Sequence, residues 1–274
     1  MVDALRCRGA KICSPFVSRD PLDGAIYYVS AATGEVFAAR PPLATGGAHE
    51  SVAFTGGEPY GAQFDRAGRL HVADAAHAAL LRVDDAGQPG VMVKAYEERA
   101  FRGPSAIAFA AGDDDDTLYF TDSGPLGETT LEKPRGSVFS ISTSPSGGQI
   151  LRPLALKCLA HPCGVATTLA DPTVLFVAEM MQNRVLRLSQ RPGGAHHVSV
   201  FHQFAGGMGP SCVACDASGS VFVGHYDFAG SGGSKLLGKI SVLSADGALQ
   251  HTLRSSVIVT EASSNAIYQL PVPR

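Results

Sequence analysis

The sequence predicts an all-β fold made of six repeated units, and three observations carry that prediction. Helical periodicity is scarce along the 274 residues, whereas short β-branched and aromatic runs bounded by Gly, Pro, Asp and Ser recur throughout. Six of these runs end in a polar residue: Ser30, Asp74, Asp122, Glu179, His225 and Glu261. Five of those residues follow, by 15 to 18 positions, a turn whose proline stands at 15, 59, 104, 162 or 210. Four antiparallel strands about every 45 residues, in one register, describe a propeller blade, whose radial repetition leaves only short protected edges. The expected fold is a six-bladed β-propeller of four-stranded antiparallel blades, a single domain over residues 1–274 with blade six shortened.

Within a repeat, the proline turn opens the first strand and the polar-ended run is the second. A third strand follows, as at 34–38, 79–83, 184–188 and 266–270, and a more polar fourth closes the unit. The polar residues are spaced by 44, 48, 57, 46 and 36. The last step is short although blade five carries an insert, so roughly 19 residues are missing near Arg254 and Ser255, by comparison with the other periods. The missing piece is the opening strand of blade six. Residues 1–12 are expected to add an outer strand to that blade, leaving a thinned blade, a rearranged terminus or a partner to complete the ring.

First strands start and second strands end on one rim because the two run antiparallel. That rim, the mouth of the central channel, collects Ser30, Asp74, Asp122, Glu179, His225 and Glu261. From polar residue to third strand the gap is six in blades one, two, four and six, but 16 in blade three and 15 in blade five. Two inserts, 124–136 and 226–238, are therefore expected to cover the mouth as lids. Converging carboxylates can hold a cation, act as acid and base, or cap neighbouring backbone amides. Asp122, Glu179 and Glu261 are the catalytic candidates, with Asp74, His225, Tyr60, Ser105, Cys163, Ser211 and Tyr226 as binding candidates.

The bulk composition excludes several classes. A net charge of −3, with 22 basic and 25 acidic residues in no long block, gives no electrostatic case for nucleic acid. No apolar run is long enough to span a membrane, and no signal-peptide core follows Met1, so a soluble cytoplasmic protein with free thiols is expected. Cys212 and Cys215 have metal-clip spacing, but residues three apart on a strand face opposite ways, which favours core thiols. Cys163 beside His161 could form a Cys-His nucleophile, and Cys158 with Cys163 a short disulfide under oxidising conditions. The acidic run 113–116 reads as a solvated turn, and His196 and His197 as an exposed connection between blades. Nucleophile elbows, phosphate loops and dinucleotide fingerprints are absent from the sequence.

The stretches Gly-Pro-Ser105-Ala-Ile-Ala-Phe and Leu118-Tyr-Phe-Thr-Asp-Ser, with Pro162-Cys-Gly-Val-Ala and Val177-Ala-Glu-Met-Met-Gln-Asn-Arg-Val-Leu-Arg-Leu188, carry a family resemblance. They resemble the SMP-30, gluconolactonase and luciferin-regenerating-enzyme-like superfamily and its strictosidine-synthase-like branch, over nearly the whole chain. Looser forms of the same motifs occur in NHL-type interaction propellers. The resemblance implies a channel cation, usually calcium, held by a Glu, two Asn and an Asp at the blade openings. Here those openings offer 13–16, Tyr60, Ser105, Cys163 and Ser211, with no acidic or amide side chain, so no metal or other cofactor is expected. The metal-free branch uses a glutamate from the opening of blade six, the segment this chain lacks.

Two functions are compatible with these features. One is a small-molecule hydrolase acting on a lactone or ester at the channel mouth. The other is a non-catalytic propeller that binds a metabolite or a protein partner on the same face.

Overall fold

The runs that end in a polar residue are the second strands of antiparallel sheets. The computed structural model describes residues 3–6, 17–19, 25–40, 49–112, 116–144, 146–227, 239–250, 257–261 and 266–270, and every longer regular element among them is a strand. Five sheets are four-stranded and pair in chain order. The first comprises Val17–Arg19, Ile26–Ser30, Glu35–Ala39 and His49–Phe54, and the second Pro59–Phe64, Leu70–Asp74, Ala79–Val83 and Pro89–Val93. The third comprises Pro104–Phe109, Leu118–Asp122, Gly136–Thr143 and Gln149–Leu159. The fourth holds Pro162–Thr167, Val174–Glu179, Arg184–Gln190 and His196–Gln203, and the fifth Met208–Cys215, Val221–Asp227, Lys239–Leu243 and Leu249–Gln250. These are the small four-stranded antiparallel sheets of a β-propeller.

A further sheet has three strands among the described residues. Val257–Glu261 pairs with Ala266–Leu270, and Asp3–Arg6 pairs antiparallel with the other side of Ala266–Leu270. The amino-terminal segment thus supplies the outer strand expected of it. The chain around Arg254 and Ser255, where the opening strand is missing from the repeat, lies outside the described residues, as do 113–115 and 228–238. Five complete blades and this three-stranded sheet are what the structure shows of the expected six. The chain divides into two compact units, Met1–Ser105 with Thr252–Arg274, and Ala106–His251.

Burial follows strand position. The second strands Ile26–Ser30, Leu70–Asp74, Leu118–Asp122 and Val174–Glu179 are buried at every residue. A strand covered on both faces has no need of polar alternation, so these read as continuous apolar runs. Fourth strands such as His196–Gln203 alternate and are half exposed. In the first unit Tyr27, Val29, Val36, Leu70, Val72 and Leu81 share one core, and the Tyr27 ring meets Phe64 edge-on at 4.6 Å. In the second, Phe176, Val185, Val213, Val223 and Leu243 share another. A stacked pair recurs between second and third strands, Tyr28 on Phe37 at 5.3 Å and Phe120 on Phe139 at 5.2 Å.

Two β-bulges recur as well. At the openings, Pro59 faces Asp74, Pro162 faces Glu179 and Pro210 faces His225, after which the register slips by one. The extra residues are Tyr60, Cys163 and Ser211. On the outer strands the extra residues are Val52, Met92, Leu154 and Phe201. A bulge bends its strand and increases the local twist, which suits a blade whose outer strand must turn away from its inner one. Two of the outer bulges meet a glycine turn from the following sheet. A β-carbon on Gly87 would lie 2.7 Å from the Val52 carbonyl oxygen, and one on Gly247 2.6 Å from that of Phe201.

His196 and His197 correct the sequence expectation. They begin the fourth strand of the fourth sheet rather than lying in a connection; His197 is exposed and His196 half-buried. Alternation of Val with polar residues from 197 to 200 was too brief to separate a strand from a loop.

The bulge contact is testable. Gly68 has φ +75° with open space around it, whereas Gly87 has φ +77° and the Val52 carbonyl in the way. Gly68→Ala should cost about 1 kcal/mol from the left-handed backbone alone, and Gly87→Ala roughly 2–3 kcal/mol, read from urea unfolding midpoints.

Candidate functional site

Two strand-ending acids, Asp74 and Glu179, are built into the chain that surrounds them. In the first unit, Asp74 is fully buried, and its Oδ1 accepts the Glu58 N–H at 3.1 Å and the His77 N–H at 3.0 Å. One carboxylate oxygen therefore ties the loop entering the first strand to the turn leaving the second. Asp74 Oδ2 is buried without a hydrogen-bond partner among the described residues. The His77 ring is fixed by its Nε2, 2.8 Å from the Thr55 carbonyl oxygen. Tyr60 is the half-buried bulge residue of this opening, and Ser105 is buried in the strand that opens the third sheet. Glu261 ends its strand as expected; its side chain lies outside the described residues.

In the second unit Glu179 repeats the Asp74 arrangement with a cation added. Its carboxylate is fully buried, Oε1 accepts the Ala160 N–H at 2.7 Å and Oε2 accepts the Arg184 Nε–H at 2.7 Å. Both oxygens are engaged, and an ionised carboxylate held by an amide and a guanidinium is a strong internal brace. Asp122 ends the third sheet's second strand, buried and opposite Ser137, and the chain runs from it directly into the insert 124–136. That insert is a built loop. Thr129 is fully buried, its hydroxyl donates to the Ser123 carbonyl at 2.9 Å, and its Oγ1 lies 3.4 Å from His161 Nδ1. Since the hydroxyl proton goes to Ser123, the ring must be the donor in the second contact.

His161 precedes Pro162 in the fourth sheet's opening, buried and with φ 58°. Burial lowers its pKa to about 4, so the ring is neutral in ordinary buffers. Cys163, the bulge residue, directs its thiol to the Pro210 carbonyl at 3.4 Å, and burial pushes its pKa up. It is a protonated, occluded thiol, and among the described residues no hydrogen bond joins it to His161. Cys158, Cys163, Cys212 and Cys215 are all free thiols. Burial likewise raises Cys212, and it raises Cys215 to about 12, as for thiols packed in a core.

In the fifth sheet, Ser211 donates its hydroxyl to the Gly224 carbonyl at 3.2 Å. His225 places Nε2 at 2.9 Å from Ser241 Oγ and meets the Phe204 ring edge-on at 4.6 Å. Tyr226 is exposed, and the rest of the 226–238 insert lies beyond the described residues apart from the strand end at 227. Sequence reasoning found the acids and the bulge residues but missed Thr129, Arg184 and Ser241. Arg184 lies only five residues past Glu179, across one turn, whereas Ser241 and Thr129 meet their histidines across 16 and 32 residues of sequence.

A calcium ion at the blade openings does not fit these side chains. Cys163 and Ser211 spend their protons on backbone carbonyls, and a thiol held protonated is a poor ligand for a hard cation. No group of three His, Cys, Asp or Glu that could hold a metal occurs among the described residues.

Similarity to solved structures agrees with the sequence resemblance. A gluconolactonase from Xanthomonas campestris superposes with a TM-score of 0.76 at 19% identity, covering 99% of this chain and 90% of that one. Regucalcin from Agrobacterium tumefaciens, a calcium-binding protein, gives 0.74 at 15% identity over 99% and 95%. A chain of the nidogen/laminin complex gives 0.64 at 15% identity over 94% and 84%. At these identities the likeness establishes the fold alone, a β-propeller. No family model matches the chain, and no curated protein matches it in sequence. No helix among the described residues is long and apolar enough to cross a membrane.

Two outcomes follow from this geometry. The unfolded imidazole takes up a proton near pH 6.5 while buried His161 resists until about pH 4, so stability falls as pH drops through that window and is unaffected above it. Between pH 7 and pH 5 the loss from this residue should be about 2 kcal/mol, and His161→Asn, which tolerates the same backbone, should remove it in paired urea titrations. Glu179→Gln leaves Arg184 without its carboxylate and should lower the unfolding free energy by about 2 kcal/mol, measured by the same titration at pH 7.

Proposed function

We propose that the chain is a single propeller domain acting as a small-molecule hydrolase on a lactone or ester, at the strand-end face that carries Asp122. The observation that carries this reading is the built loop 124–136. It leaves directly from Asp122, and its buried Thr129 is bonded both to its own base and to the neighbouring opening at His161. The fold shared with a gluconolactonase supports the reaction class. In this reading Asp122 is the acid or base at the reacting carbonyl, while Glu179 shapes the opening through Ala160 and Arg184. Free thiols at four cysteines support a reducing, cytoplasmic setting.

A second reading is favoured by one specific observation. The opening residues Cys163 and Ser211 are turned onto backbone carbonyls, which supports a propeller that binds a metabolite or protein without turnover. The fold also occurs in a chain of the nidogen/laminin complex.

A panel of lactones and aryl esters, assayed with and without added divalent cations, separates the two. The hydrolase reading expects turnover that falls by roughly 100-fold or more in Asp122→Asn while the thermal melt stays cooperative. Absence of turnover over the whole panel would sink it and leave the binding reading.

A further inference from the structure

The loop 55–58, between the outer strand of the first sheet and the opening strand of the second, is fastened on both sides by its own backbone. The Thr55 N–H and hydroxyl both donate to the Gly34 carbonyl, at 2.8 and 3.1 Å, and the Gly57 N–H donates to the Thr55 hydroxyl oxygen at 3.2 Å. Toward the second sheet, the Glu58 N–H goes to Asp74 Oδ1 at 3.1 Å and the Glu58 carbonyl accepts the Ala75 N–H at 2.9 Å. The Asp74 carboxylate also packs on Gly57, where any β-carbon would collide with it. A loop tied in this way needs no further side chain to hold it.

His77 nevertheless reaches it. Its backbone N–H is bonded to Asp74 Oδ1 at 3.0 Å, and its ring Nε2 lies 2.8 Å from the Thr55 carbonyl oxygen. A carbonyl oxygen only accepts, so Nε2 carries the proton, and in the neutral ring Nδ1 is left with a lone pair. The side chain is exposed, and Nδ1 makes no hydrogen bond among the described residues. The turn that carries the ring is fixed as well. The Ala78 N–H returns to the Ala75 carbonyl at 3.1 Å, with Ala78 in the left-handed region at φ 49°, a conformation that persists where the surroundings impose it. A ring held still, in a tautomer set by a backbone carbonyl, presents one acceptor in one direction, which is how proteins orient a working imidazole.

An apolar surface adjoins that acceptor. Phe54 ends the outer strand His49–Phe54 and is 63% exposed, and its ring edge lies 3.6 and 3.8 Å from where a β-carbon on Gly56 would stand. Gly56 is exposed with φ +68°, and its amide belongs to the peptide whose carbonyl holds the His77 ring. A bare backbone step thus separates an exposed benzene ring from a fixed acceptor. We propose that Phe54 and His77 bind a small hydroxylated aromatic molecule, a phenol in the simplest case, whose ring packs on Phe54 while its hydroxyl donates to His77 Nδ1. This binding needs neither Asp122 nor turnover, so it does not rest on the hydrolase reading.

Proton–nitrogen correlation spectra of the full labelled chain at pH 8 supply the test, with phenol and its isostere toluene as probes. Phenol should shift His77 Nδ1 saturably while toluene leaves it in place, the resonance being identified by its loss in His77→Gln. Affinities for both probes are read from the backbone amides of Gly56 and Ala76. Apolar contact alone favours toluene, so the ratio of phenol to toluene affinity reports the acceptor. His77→Phe keeps a flat ring and should lower that ratio about fivefold, whereas Phe54→Ala should weaken both probes about fivefold. Both positions are exposed, and the thermal melts of the two variants should stay cooperative. An unchanged ratio in His77→Phe would overturn the proposal. So would the absence of saturable phenol shifts, or shifts centred away from residues 54–58 and 75–78. A lactone and aryl ester panel without turnover would remove the hydrolase reading and leave this result standing, and turnover without phenol shifts would do the reverse.

Discussion

The pairing of Pro59, Pro162 and Pro210 with the polar residues that end or near the end of their second strands is the constraint on which the rest of this structure depends. Proline has no N–H to give to the ladder, so at Pro59, Pro162 and Pro210 the inner strand cannot begin as a regular antiparallel pair. The chain answers with a bulge one residue later and with a side chain that bonds the preceding amides in place of the strand. At Asp74 that side chain collects Glu58 and His77, and at Glu179 it collects Ala160 and Arg184. The acid is therefore the keystone of the rim. At Asp74 and Glu179 its place follows from backbone accounting, since buried N–H groups need acceptors.

This explains why the fold was legible in the sequence and much of the site was not. The second strands end at Ser30, Asp74, Asp122, Glu179 and Glu261, at the residues picked from the repeat; in the first four, a strand buried on both faces prints its whole length as an apolar run. In the fifth sheet the strand continues two residues past His225, whose ring meets Ser241 of the neighbouring strand. Outer strands were blurred because half of each faces water, which is how His196 and His197 came to read as a connection. Bulges leave no local signature: Val52, Met92, Leu154 and Phe201 share only an apolar side chain and a place in the register. The Thr129 to His161 contact spans 32 residues of sequence and two sheets, so no motif could announce it.

The openings also show what these bulges do when the side chains they carry are poor ligands for a hard cation. A bulge re-aims the extra residue out of the alternation of its strand, which is a good way to point a ligand at a bound ion. In this chain the same bulges aim Cys163 and Ser211 at carbonyl oxygens of their own or the neighbouring sheet. The bulge therefore survives as a packing device. Cys163 bridges two openings with a thiol that burial keeps protonated, and a small, weakly polar group there leaves no buried charge to solvate.

Chemistry, if this face performs any, must then come from outside the bulges, and the strand-end acids are not equivalent in what they can offer. Glu179 has both oxygens committed to an amide and a guanidinium, and withdrawing either would loosen the opening that carries His161. A group whose removal costs stability is a poor place to keep a proton-transfer step that must cycle between two charge states. Asp122 differs in its surroundings: the chain beyond it leaves the sheet at once and returns through a loop fastened to a neutral histidine. The strained backbone at His161, the depressed basicity of its ring and the buried hydroxyl of Thr129 all serve the same end. They keep one uncharged hydrogen bond across two sheets.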